Sequence, residues 1–176
     1  LDQWQDKALN EKDPVIITQV VIALARKGNA SVRNQLLKSL TSVDYVKLSA
    51  QQQMDLLRAF ELVLSRLGLP DADGKSLVIG YLNPHYPSKT NNLNRELSKL
   101  LVYLDAPQAV EKTMALMNDA KDDDINQNAI SQSADLILRN PQYGMDIAGM
   151  LSKIPPSQQT WYATVLSQAK NGWTPE

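Results

Sequence analysis

The chain has 176 residues, 18 basic and 19 acidic side chains, a formal charge of -1 and 43% apolar residues. That length suits one domain with a sizeable core, and the even charge argues against a nucleic-acid binder, which carries a basic excess or stripe. There is no cysteine, hence no disulfide framework, thiolate zinc site or thiol nucleophile, and no apolar run approaches the roughly 18 to 20 residues that span a bilayer.

Helix signals recur from the start. Leu1, Trp4 and Ala8 step by three and four, which predicts the tail of a preceding helix. Asp13 before Pro14 places a capping carboxylate ahead of a proline at the first helical position. The helix that follows, "VIITQVVIALA" (Val15 to Ala25), is apolar nearly all round and predicts cover on more than one side. Gly28-Asn29 stops it. Asn29-Ala30-Ser31 matches a glycosylation acceptor, as many chance triplets do. The simpler reading is a turn in which Ser31 caps a helix beginning near residue 31.

Ser49 and Gln52 have the spacing of a capping box. Met54, Leu57, Phe60, Leu64 and Leu67 then form a stripe at helical spacing, ended by Gly68-Leu69-Pro70. A second helix of that pair begins near 73. Residues 83 to 91, "NPHYPSKTN", have loop composition. Asn91, Asn92 or Asn94 is expected to cap the next helix, with Glu96 in its first turn and Leu93, Leu97, Leu100 and Leu104 as its stripe. Asp105-Ala106-Pro107 reads as another start. Asp122-Asp123-Asp124 clusters negative charge at a helix N-terminus, where the dipole favours it, and Asn140-Pro141 is a further start. Stripes follow at Ile130, Ala134 and Ile137, at Ile147, Met150 and Ile154, and at Trp161, Val165 and Ala169. Asn171-Gly172 stops the last of these. Thr174-Pro175-Glu176 opens a helix that a parent chain is expected to continue.

The helices pair. First members begin near 14, 50, 92, 124 and 156, and second members near 31, 73, 107, 141 and 174. The spacing, about 32 to 42 residues, is that of an α-solenoid, because one helical hairpin cannot bury its own apolar face and stacks on the next. The expected fold is therefore all-α: stacked antiparallel helix pairs of HEAT/ARM type, about four to five repeats in a right-handed superhelix. Residues 1–176 are expected to form a single such domain, a fragment of a larger multidomain protein.

Three stretches together carry a family resemblance: "LLRAFELVLSRLGLPD" (Leu56 to Asp71), "LNPHYPSKTNNLNRELSKLLVYLDAP" (Leu82 to Pro107) and "YATVLSQAKNGWTPE" (Tyr162 to Glu176). They resemble a HEAT-like repeat region of large bacterial proteins, notably of planctomycetes and Bacteroidetes. The most specific part is Asn94-Arg95-Glu96 with "LLVYLDAP". In that family the region often lies beside a sorbosone-dehydrogenase-type β-propeller and a c-type cytochrome domain. The resemblance implies export, to the periplasm or cell surface, with cytoplasmic placement as the remaining option. It assigns the repeat region no reaction, and without cysteine there is no haem-attachment motif, so any oxidoreductase chemistry belongs to neighbouring domains.

Several residues invite a functional reading beside a structural one. His85, the only histidine, sits in a proline-flanked loop, but a metal site needs further ligands; a structural or exposed role is the simpler reading. In Asn94-Arg95-Glu96 the carboxylate offers a general base and the guanidinium an anion clamp. The structural reading is a cap plus an ion pair to Arg58 or Glu61 of an adjacent helix, a buried cluster that would fix the angle between repeats at a desolvation cost. Asp122-Asp123-Asp124 lacks the glycine and glutamate offsets of a calcium loop and reads as capping. Trp161, Tyr162 and Trp173 read as core or end-repeat packing, with a partner surface as the alternative.

No nucleophile–base pair or metal set stands out. The primary expectation is a non-catalytic scaffold or interaction domain, with no cofactor, presenting a helical-repeat surface to a protein partner or to neighbouring domains of its parent. The alternative is a ligand-binding auxiliary domain, for a carbohydrate or an anion, of an exported oxidoreductase. For it, Tyr81, His85, Tyr86, Arg95 and Glu96 are the candidate binding surface.

Overall fold

The computed structural model of the protein describes residues 9–121 and 157–173. Among these are seven α-helices, three short 3-10 turns and no strand. The expected helices around Asp122-Asp123-Asp124 and Asn140-Pro141, and the stripes from Ile130 to Ile154, lie outside the described residues, as do Leu1, Trp4, Ala8 and Thr174-Pro175-Glu176.

The starts and stops follow local chemistry. Helix α1 (Pro14–Lys27) opens with the Asp13 carboxylate accepting from the backbone N–H groups of Val15 at 2.8 Å and Ile16 at 3.2 Å. It closes on Gly28 at φ 80°, the left-handed conformation that carries no steric penalty for glycine. Ile17, Val21 and Ala25 are buried, whereas Val15 and Ile16 stand about half exposed. The apolar girdle expected all round this helix is thus covered on one side more than the other.

Helix α2 (Arg33–Thr41) follows a 3-10 turn at Ala30–Val32. Asn29 caps that turn, accepting from the Ser31 backbone at 3.0 Å and its hydroxyl at 2.8 Å. Ser31 is therefore the capped residue, not the cap. An Asx side chain bonds the backbone two residues on more readily than a serine hydroxyl does.

Helix α3 (Ala50–Leu67) has the expected capping box: the Gln52 N–H donates to the Ser49 hydroxyl and the Gln52 side chain accepts from the Ser49 N–H. Ser49→Ala is expected to cost about 1 kcal/mol in chemical denaturation; a change within error would mean that packing alone sets this end. The helix stops at Gly68, whose φ of 80° and ψ of -178° form a combination essentially confined to glycine. Arg33 Nη1 donates to the Leu67 carbonyl at 2.8 Å, satisfying one of the carbonyls left over at the helix end.

Helix α4 (Ala72–Leu82) is capped by Asp71, which accepts from the Gly74 N–H at 2.9 Å and from Asn34 Nδ2 at 2.6 Å. These two hydrogen bonds hold its carboxyl below the usual carboxylate range, and one side chain both starts α4 and ties it to α2.

Helix α5 (Asn91–Tyr103) is capped by Thr90, not by any of the three expected asparagines. Asn94 is buried and occupied elsewhere: its Oδ1 accepts from the Ser88 N–H at 2.6 Å and its Nδ2 donates to the Ser88 carbonyl at 3.0 Å. Helix α6 (Ala109–Asn118) starts two residues after Pro107 rather than at it. Asp105 and Gln108 take positive φ, 50° and 62°. The Asp105 carboxylate pairs with Lys75 at 3.2 Å and accepts from Asn171 at 3.3 Å instead of capping. Helix α7 (Ser157–Leu166) completes the set.

Packing among the first six helices is between near neighbours in the chain, whereas α7 joins them from beyond residue 156. Helix α1 touches α2 and α3; α2 touches α3 and α4; α3 packs on α5; α5 meets α6 and α7; and α6 meets α7. The core runs through α3, where Leu56, Leu57, Ala59, Phe60 and Val63 are fully buried, and continues into Leu97 and Leu101 of α5. That burial removes apolar surface from water along these helices and is the main stabilising term.

Candidate functional site

The five residues singled out in the sequence fall into three environments. In the first, the 3-10 turn Asn83–His85 brings His85 flat against Tyr45, with ring centroids 4.2 Å apart and planes 20° apart. Tyr81 meets both rings edge-on at 6.3 Å, and its hydroxyl donates to the Val43 carbonyl at 2.7 Å. Burial pushes Tyr45 up to about 12. Burial also lowers His85 from its ordinary value, because the charged imidazolium is the costlier form to desolvate.

The sign of the resulting pH dependence follows. A histidine whose folded pKa is depressed binds fewer protons than the unfolded chain over the window between the two values. Its contribution is fully present above about pH 6.5, the unfolded value, and is lost as pH falls below it. Thermal melts from pH 8 to pH 5 are expected to show this loss, reduced in His85→Phe, which keeps a ring against Tyr45. Parallel profiles for the two proteins would contradict it.

The second environment is internal. Tyr86 is buried, and its hydroxyl lies 2.7 Å from Thr113 Oγ1, which donates to the Ala109 carbonyl at 2.6 Å. Lys112 Nζ donates to the Tyr86 carbonyl at 3.0 Å and to Asn83 Oδ1 at 3.2 Å. Tyr86 thus fastens the loop before α5 to α6, and burial raises its pKa.

The third lies on the face shared by α3, α5 and α7. Arg95 and Glu96 do not pair with each other. Lys99, one turn on from Arg95, sits 2.8 Å from Glu96 Oε2 and 2.9 Å from Glu61 Oε2. Glu96 Oε2 accepts no aligned hydrogen bond, so its link to Lys99 is an ion pair. Burial works against the charge on Lys99, but the Glu96 and Glu61 carboxylates outweigh it and raise its pKa. Glu61 is therefore a partner of this cluster, as its position suggested, although through Lys99. Arg58 instead faces Asp55 at 4.0 Å.

Arg95 lies over the Trp161 ring, 5.5 Å from its centroid, and Lys99 approaches the same ring at 5.7 Å. This is cation–π geometry. Arg95 Nε donates to Gln158 Oε1 at 2.8 Å. Sequence reasoning missed Lys99, Gln158, Tyr45 and Thr113. For Lys99 a signal was present: it follows Arg95 by four residues and so shares its helix face. For Gln158 none was, since its partner is 63 positions away.

Among the described residues no three His, Asp, Glu or Cys side chains are grouped to hold a metal ion, and no helix is long and apolar enough to cross a membrane. No protein-family model matches the chain, and no curated protein or solved structure matches it at a significant level.

Proposed function

We propose that the chain is a helical-repeat interaction domain: an α-solenoid of HEAT-like antiparallel helix pairs, about four to five in number, holding a protein partner or neighbouring domains of its parent rather than performing a reaction. One observation carries the reading. Among the first six helices α1 packs on α3, α3 on α5 and α2 on α4, contacts between next-but-one helices that support a reading as stacked hairpins. The even charge supports a protein partner over a nucleic acid. The resemblance to repeat regions of exported bacterial proteins supports a periplasmic or cell-surface setting.

Two surface features suit a partner. A groove of about 920 Å3 runs along α6, with Val110, Met114 and Trp173 on its walls, and Trp173 is about half exposed. Aromatic side chains in such positions anchor interfaces. Cross-linking mass spectrometry on the full-length parent tests the reading. Links from Lys112 or Lys75, which flank this end, to residues outside the repeat region are the expected result. A parent in which the repeat surface forms no link to any domain or partner would overturn it.

A further inference from the structure

Helices α3 and α5 and the turn after α7 frame an open cleft of about 170 Å3. All of its lining residues are described, and none adjoins an undescribed segment in the chain. Leu64 and Leu100, both buried, give it an apolar floor. Tyr103 lines it as well and is 45% exposed, which leaves an amphipathic ring open to solvent beside that floor.

The polar side chains of the cleft are reachable from water too. Glu61 is 44% and Lys99 27% exposed along the side chain, and Gln168 is exposed. The ion pair at 2.9 Å engages one oxygen of Glu61, and a carboxylate accepts at both. An ammonium has one more N–H donor than the two that Glu61 and Glu96 engage. An acceptor and a donor therefore stand side by side, with an amide, which does both, on the third wall. The charges cancel: Glu61 and Glu96 stand against Lys99 and Arg95, the last two sharing the Trp161 ring. A charged ligand gains little from such a balance, whereas a hydroxyl, donor and acceptor at once, is served by both signs.

We propose that this cleft binds a neutral saccharide, with the C–H face of a sugar ring laid on Tyr103 and its hydroxyls shared among Glu61, Lys99 and Gln168. The size suits a small ligand, being below the roughly 300 Å3 at which drug-sized pockets begin. An aromatic face is electron-rich and attracts the polarised C–H groups of a sugar. Lys99 is held between its two carboxylates, so donor and acceptor are set before the ligand arrives, which limits the entropic cost of binding. The proposal goes beyond the interaction-domain reading and does not rest on it, since it holds or fails at this one cleft.

The test presents the full chain with cellotriose, maltotriose, mannotriose and chitotriose, followed by saturation-transfer 1H NMR and isothermal titration calorimetry, with trigalacturonate and a glucosamine trimer as charged comparisons. Saturable binding of at least one neutral trisaccharide is expected, with an affinity that added salt leaves unchanged, because screening acts on charges. Tyr103→Ala is expected to weaken it about tenfold through loss of the ring. Glu61→Gln keeps the shape but replaces a charged acceptor by a neutral one, and is also expected to weaken it about tenfold. Both positions are half-exposed or more open, so circular dichroism and melting temperature should stay close to wild type; Gln168→Ala, on an exposed turn, is the further variant and is expected to weaken binding severalfold. No saturable response to any neutral trisaccharide, preference for a charged trimer, or wild-type affinity in all three variants would overturn the assignment.

Discussion

Phe60→Ala is expected to destabilise the protein by about 3–5 kcal/mol, the range for deleting a buried aromatic ring. Phe60 is fully buried in α3, the helix that touches α1, α2 and α5, and its ring lies 5.8 Å from that of Tyr81. Removing it takes away apolar contact and leaves a cavity that four packed helices cannot close without moving together. Against a whole-domain stability of about 5–15 kcal/mol, such a loss moves the urea midpoint far to lower concentration. Val46→Ala is the control: at 77% exposed it is expected to stay within about 0.5 kcal/mol of wild type. If Phe60→Ala lost less than about 1 kcal/mol, α3 would not be the centre of the core.

Asn94→Ala is expected to cost about 2–3 kcal/mol, although it removes no apolar packing of consequence. Its amide bonds both the N–H and the carbonyl of Ser88, acting as a stretch of backbone would. Alanine leaves those two groups partly buried with no protein partner, and the penalty for unsatisfied polar groups exceeds the gain from making the bonds. Ser88 is only half-buried, so water recovers part of the loss, which sets the value below that for Phe60. Hydrogen exchange gives the sharper readout. The Ser88 amide should exchange much faster in the variant, while amides in the middle of α3 change only with global stability. Retained protection at Ser88 would show that the loop holds itself.

What the sequence made legible was the grammar of single helices. Asp13-Pro14, Ser49 with Gln52, Gly28 and Gly68 act within a few residues of themselves, and each marks the boundary observed. The leucine and phenylalanine stripes of α3 and α5 likewise mark their buried faces, because 3.6-residue periodicity is a local property. Choices among similar side chains were not legible. Thr90, Asn91, Asn92 and Asn94 are all plausible caps, and what removed Asn94 was Ser88, six residues back across a turn. Asp105 beside Pro107 looked like Asp13 beside Pro14, but Lys75 and Asn171 hold its carboxylate from afar.

The candidate site shows the same division. Tyr81, His85, Tyr86, Arg95 and Glu96 lie close in sequence, and all five make specific contacts. The fold nevertheless distributes them among an aromatic stack, an internal tether and a charged face. Of their partners, Tyr45, Thr113, Glu61 and Gln158 come from four other elements and Lys99 from the same helix; Glu61 was expected from the sequence, and Lys99 stood at a spacing that announced it.

The order in which the helices find one another has a consequence for how the molecule comes together. Contacts among the first six are short-range: Arg33 reaches Leu67, 34 positions along, and such local topologies form quickly. Helix α7 has to return from farther, with 63 positions between Arg95 and Gln158, and longer closures carry a larger entropic penalty. Its amides are therefore expected to open at lower free energy than those of α3, which hydrogen exchange would read. Whatever loosens the contact of Arg95 with Gln158 would register in the exchange rates of α7 before it registered anywhere else.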